Sequence, residues 1–172
     1  MATIYCSAKL STLLGLSKKP KDDSTVSADP NSWNAMLFYL NKRKCLLFAH
    51  KSTLYTFLVL DIVKKDLGDF PKFFSQNFTD QLLADQLITE RAKVMLEQDY
   101  GSIILKPTDN EKKVIGSMND CIFRVRYYTG RDDEDGRSKS ATYIAHQFNK
   151  TPMGAIDYAH PVDMMKELLN KI

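Results

Sequence analysis

The chain predicts an α+β fold: a single domain over residues 1–172, with a mainly antiparallel sheet, a meander, packed by helices. Three observations carry this. With 172 residues and 44% apolar side chains, it can bury a core of ordinary size without disulfides or metals to hold it. Between Trp33 and Ile62, three runs rich in Phe, Leu, Tyr and Val have strand length and are separated by short polar breaks. From Gly68 onward the apolar residues recur at three and four, the period of a helix.

The elements follow in order. Ala2 to Cys6 is a short β-prone run, and Ala8 to Leu16 places Leu10, Leu13 and Leu14 at helical spacing behind Ser7, a candidate cap. Residues 18–32 are polar, contain Pro20 and Pro30 and lack periodicity, so they read as a surface loop. Trp33 to Leu40, Lys44 to Lys51 and Thr53 to Ile62 are joined by breaks too short for a crossover, which predicts antiparallel neighbours. In the first run Trp33, Leu37 and Tyr39 alternate with Met36, Phe38 and Leu40, so both of its faces should be covered, in a two-layer arrangement of sheet and helices.

Phe70, Phe73, Phe74, Phe78, Leu82 and Leu83 then mark an amphipathic helix, with Asp69 as cap and Pro71 in the first turn. Leu83 to Leu96 reads as a second helix or its continuation. Ser102 to Lys106 is a brief strand ended by Pro107. Val114, Ile115, Met118, Cys121, Ile122 and Val125 return to the helical period, which puts Gly116-Ser117-Met118-Asn119 inside a helix, at a place where another backbone approaches closely. Thr151-Pro152 stops an element, Gly154 permits a turn, and His160-Pro161 starts a terminal helix carrying Val162, Met165, Leu168 and Leu169.

Composition bounds the function. The net charge of +3 is small and the basic residues are dispersed, so electrostatics gives little support for a nucleic-acid partner. The densest basic cluster, Lys42-Arg43-Lys44, reads as a solvated hairpin tip. No stretch approaches the roughly 20 apolar residues that span a bilayer, and the start lacks the pattern of a secretory signal, so a cytoplasmic protein with no membrane partner is expected. Cys6, Cys45 and Cys121 are odd in number, widely spaced and flanked by apolar residues, which suits buried thiols better than disulfides or a metal site.

Signatures of catalysis and cofactor binding are weak. Ser117 sits in a helical pattern instead of the strand-turn-helix of a nucleophile elbow, and no glycine-rich loop cradles a phosphate. Asp132-Asp133-Glu134-Asp135-Gly136 fails as a calcium loop: with Gly136 in the sixth position, the first would be Arg131 and the twelfth Thr142. It reads as a solvated acidic loop. No cofactor or metal is expected. His50, His146 and His160 each have a structural role available, although a meeting of His50 or His146 with Asp120, Tyr55 or Cys121 would create an acid–base site.

The run Trp33-x-x-x-Leu37-Phe38, the following Lys44-x-Leu46-Leu47-Phe48 and Thr53-Leu54-Tyr55, the Gly116-Ser117-Met118-Asn119 motif and Asn149-Lys150-Thr151-Pro152 together resemble a family of small bacterial proteins classed as a domain of unknown function. The resemblance covers almost the whole chain outside residues 18–32. It implies a bacterial, single-domain protein of the accessory genome, carried on a mobile element or gene cassette, and no activity. Locally, Asn149-x-Thr151-Pro152 with Ile156, Tyr158 and Pro161 is similar to the tail of the integrase-like domain of many bacterial transposases. That chemistry needs carboxylates placed to hold two metal ions, whereas Asp61, Asp69 and Asp80 are spaced for strand ends and helix caps.

Two functional readings follow. In the first, the chain is a binding or interaction module that uses Trp33 and the region from Asn119 to Thr151 against a protein partner or, with less support, a nucleic acid. In the second, it is an enzyme or small-ligand binder with a pocket between the sheet and the helix over 112–128, lined by Tyr55, Ser117, Asn119 and Asn149. A homodimer formed across open strand edges is compatible with either.

Overall fold

The computed structural model describes residues 1–17, 30–129 and 139–171. Most of the loop expected over 18–32 and all of the acidic run Asp132 to Gly136 lie outside the described residues. Among the described residues five strands, β1 (Ala2–Cys6), β2 (Ser32–Leu40), β3 (Arg43–His50), β4 (Thr56–Ile62) and β5 (Ile103–Pro107), form one open sheet in the order β4-β3-β2-β1-β5. The β2–β3–β4 meander is antiparallel, as expected. The sheet as a whole is mixed, because β1 runs parallel to both β2 and β5. The connections into β2 and β5 are long enough for crossovers, and a strand's apolar pattern carries no record of its direction.

Local chemistry sets the meander. Leu40 lies opposite Arg43, so the hairpin closes in two residues, Asn41 and Lys42, both with positive φ (48° and 66°). A turn of this hand matches the twist of the strands it joins. At its tip Arg43 Nη1 donates to Asp61 Oδ2 at 3.0 Å, so part of the basic cluster is engaged within the fold. Asp61 itself has φ 56° in an irregularity of β4 opposite Lys44 to Leu46. β4 starts at Thr56, later than the expected Thr53. Thr53 to Tyr55 are taken up by a tight turn, in which the Leu54 N–H donates to the His50 carbonyl and Leu54 adopts φ 54°.

The helices are α1 (Ala8–Leu14), α2 (Phe70–Ala84), α3 (Glu90–Asp99), α4 (Lys112–Thr129), α5 (Ala141–Asn149) and α6 (Pro161–Leu169). Ser7 precedes α1 without capping it through its side chain; its hydroxyl accepts from the Leu37 N–H instead. Asp69 does cap α2, accepting from the Lys72 N–H at 3.2 Å. α2 and α3 are separate helices because α2 ends in a Schellman motif. The Leu87 N–H returns to the Leu82 carbonyl and the Gln86 N–H to the Leu83 carbonyl, with Gln86 at φ 59°.

Two apolar cores share the sheet. On one face Ile4, Trp33, Ala35, Leu37, Leu46, Phe48 and Phe57 pack against Leu10 of α1, Phe70, Phe74, Phe78 and Leu82 of α2, and Met165 of α6. On the other, Phe38, Cys45, Leu47, Ala49 and Leu58 pack against Val114, Met118, Cys121, Ile122 and Val125 of α4 and Ile144, Ala145 and Phe148 of α5. The arrangement is therefore three layers, helices–sheet–helices, where two were expected. The alternation in β2 already required cover on both sides; the helices divide between the faces to provide it.

Trp33 is the hub of the first core. It meets His50, Phe57, Phe74 and Phe78 edge-on, with centroids 4.9, 5.7, 5.3 and 4.9 Å away, and its Nε1 donates to Asn31 Oδ1. Edge-to-face rings add to the stabilisation that burial alone provides.

Candidate functional site

The least expected side chain in the interior is Asp85. It is the C-cap of α2, its side chain is 0% exposed, and the negative end of a helix dipole is the wrong place for a carboxylate. Donors compensate. Tyr55 Oη donates to Oδ2 at 2.6 Å, Asn149 Nδ2 to Oδ2 at 2.9 Å and Gln81 Nε2 to Oδ1 at 3.2 Å, while His146 Nδ1 lies 2.5 Å from Oδ1. Burial, and then the charge and hydrogen bond of Asp85, push the Tyr55 phenol well above its ordinary range, so it remains a donor.

Asn149 has a second task that explains why an amide stands there. Its Oδ1 accepts from the Thr56 N–H at 2.8 Å and its Nδ2 donates to the Thr56 carbonyl at 2.9 Å. One side chain thus satisfies the backbone of β4, an outer strand of the sheet, as a neighbouring strand would. Only an amide offers a donor and an acceptor at that geometry. α5 supplies this contact and lies along β4, joining it to the end of α2. Nearby, Thr151 Oγ1 donates to the Gln147 carbonyl at 2.7 Å and accepts from Arg124 of α4 at 3.3 Å. Asn149 and Thr151 of the Asn-Lys-Thr-Pro motif thereby lock α5 to the sheet and to α4.

The histidines divide. His50 Nε2 lies 2.9 Å from the Pro30 carbonyl, so that nitrogen carries the proton, and Nδ1 accepts from Thr53 Oγ1 at 3.0 Å: a structural residue of the turn before β4. His160 caps nothing with its side chain but places Nδ1 2.8 Å from the Lys150 carbonyl. His146, 26% exposed, is oriented by Asp85 with Nε2 on the far side of the ring. This is the geometry of an oriented base. Among the described residues, however, no serine, threonine or cysteine is hydrogen-bonded to it. Cys121 is in the other core, its thiol pushed up to about 12 by burial, and is no nucleophile.

The second unusual feature is the outer face of α4. Val114, Met118, Cys121, Ile122 and Val125 face the core. The opposite stripe, by helical spacing, carries Lys112, Gly116, Asn119, Asp120, Phe123 and Tyr127. Phe123 is 74% and Tyr127 54% exposed. A Cβ built on Gly116 meets nothing within 4 Å, so the close backbone approach expected there is absent within the described chain. A glycine inside a helix is destabilising by roughly 0.5–1 kcal/mol relative to alanine, and no packing in this fold requires it.

The six residues singled out from the sequence therefore fall in different places. Trp33, Tyr55 and Asn149 are buried within the fold. Tyr55 and Asn149 meet on Asp85; Asn119 is exposed on α4, with Ser117 donating to the Lys113 carbonyl at 3.1 Å; and Thr151 joins α4 to α5. Tyr55, Ser117, Asn119 and Asn149 do not line one hollow, because Tyr55 and Asn149 are buried together on Asp85 while α4 turns Asn119 outward. Sequence reading missed Asp85, whose only signal was a Gln81–Asp85 pair four apart on an aromatic helix, and Phe123 and Tyr127, which a helical wheel places opposite the core stripe.

The candidate binding surface carries Gly116 and Asn119 of one motif, and the polar network carries Asn149 of the other. A search of curated proteins finds no match to this chain. A family model described as Domain of unknown function (DUF6933) matches residues 3–164, which take in all five strands apart from Ala2 and both motifs described above, and the chain belongs to that family.

Proposed function

We propose that the chain is a protein-interaction module that docks through the outer face of α4, and that its partner is a second copy of itself. The observation that carries this reading is Gly116. It stands in the second turn of an 18-residue helix, open to solvent, on the same stripe as two exposed aromatic rings, Phe123 and Tyr127. A missing side chain there lets another helix approach closely. The charges on the stripe are self-complementary: Lys112 lies four residues before Gly116 and Asp120 four after, and no ion pair among the described residues engages either. An antiparallel two-fold axis through Gly116 sets each Lys112 against the Asp120 of the second copy, the reciprocity that an isologous contact requires.

Trp33, Tyr55 and Asn149 support the surface from inside by fixing the sheet and α5, while Asn119 is the polar residue of the contact. With the axis through Gly116 the two helices overlap only over residues 112–120, about 12 Å, a small interface, so the association is weak and concentration-dependent. We also place the module in the bacterial cytoplasm on accessory DNA, following the family resemblance; cassette or transposition genes beside it would support that setting, and a fixed metabolic operon would count against it.

Sedimentation equilibrium tests the pairing. Lys112→Asp and Asp120→Lys each put like charges together and abolish the dimer, whereas the double variant restores it. A monomer at every concentration in the unmodified chain, or a dimer indifferent to both reversals, would overturn the reading.

A further inference from the structure

β1 and β5 are parallel neighbours, paired from Ala2 with Ile103 to Cys6 with Pro107. Their exits differ. β1 passes through Ser7 into α1, whose Leu10 packs on one face of the sheet; β5 passes through Thr108 to Glu111 into α4, whose Val114 and Met118 pack on the other. Where adjacent parallel strands send their helices to opposite faces, the chain parts at the carboxyl ends of the strands and leaves a crevice, the usual ligand position in open parallel sheets, here reproduced in the parallel part of a mixed sheet. A cleft of about 560 Å³ lies there, lined by Ala8, Lys9, Thr12 and Leu16 on one side and Thr108 and Asn110 on the other. That volume is within the range of small-molecule sites.

The lining chemistry is asymmetric. Lys9 is its one charged residue, and among the described residues no carboxylate pairs with it. The acid nearest in sequence, Asp109, is held away by Lys51, which also bonds Glu111 at 2.8 Å. Asn110 adopts φ 57° and its N–H is bonded to Thr108 Oγ1, while its side-chain amide has no partner among the described residues. The hydroxyls of Ser11, Thr12 and Thr108 are engaged with the backbone of Cys6, Ala8 and Asn110, and the remainder of the wall is apolar surface from Ala8, Leu16 and Pro107.

We infer that this cleft binds a small molecule with an apolar body and a single anionic group, carboxylate or phosphate, the anion on Lys9 and the Asn110 amide and the body against Leu16 and Pro107. The site is separate from the outer face of α4, and neither inference depends on the other.

Amide chemical shifts of the full, isotope-labelled chain test it, with phenyl phosphate, benzoate and AMP as probes at millimolar concentration. At least one of them shifts the amides of Ala8, Lys9, Thr12, Thr108 and Asn110 saturably. Lys9→Glu weakens that binding by about tenfold or more, as loss of a charge-assisted contact demands, and Thr12→Trp, on the exposed side of α1, fills the space and abolishes it. If none of the three probes moves these amides, or if the shifts survive both substitutions unchanged, the inference is wrong. Adding phosphate alone separates the two anion sources: it competes with phenyl phosphate and AMP if the phosphate is the recognised group.

Discussion

Replacing Asp85 by Asn alters one atom and reverses a hydrogen-bonding role. The carboxylate accepts from Tyr55, Asn149 and Gln81 and orients His146. An amide presents two hydrogens to donors that already point inward, and at least one of them loses its partner in a place water does not reach. Asp85→Asn is expected to lower stability by about 3 kcal/mol, read as a fall in the denaturant midpoint with an unchanged slope. Tyr55→Phe removes a single donor and should cost about 1–2 kcal/mol by the same measurement. An Asp85→Asn chain as stable as the unmodified one would show that the network is incidental to the fold.

Helix ends and helix faces make different demands. Gln86 holds the left-handed position that closes α2, at φ 59°, where a side chain costs about 1 kcal/mol and glycine is the usual occupant. Gln86→Gly is therefore expected to stabilise the protein by a few tenths to about 1 kcal/mol, since the greater freedom of glycine in the unfolded chain offsets part of the relief. A thermal melt that shifts downward would contradict this. Gly116 presents the opposite case. Its φ is ordinary and its surroundings are empty, so Gly116→Ala should raise the stability of the isolated chain by about 0.5–1 kcal/mol while weakening self-association. A change of the same sign in both measurements would argue against a packing role for this glycine.

The whole molecule should weaken in alkali. Burial raises the Cys6 and Cys121 thiols to about 12, and it also raises Cys45. Between the unfolded thiol value near 9 and the folded value, the unfolded chain has lost protons that the folded one retains, so stability is complete below about pH 9 and falls as pH rises toward 12. Lys51 adds in the same direction: burial works against its charge, but the hydrogen bonds and charges of Asp109 and Glu111 prevail and raise it. Denaturant midpoints at pH 7 and pH 10 measure the loss, and a disulfide-exchange reagent at pH 8 should react with the folded thiols only as fast as the protein opens. Rapid reaction of all three thiols would contradict their burial. Much of this molecule was legible beforehand. The alternation in Trp33 to Leu40 dictated a strand covered on both faces, and the three-and-four spacing of Phe70 to Leu82 and Val114 to Val125 dictated the helices, because periodicity is a local property of the chain. The parallel insertion of β1, the convergence of Tyr55, Asn149 and His146 on Asp85, and the empty space above Gly116 belong to tertiary structure alone. They depend on which residues distant in the chain are brought within a few ångströms, and hydrophobic spacing along one segment carries no information about its neighbour.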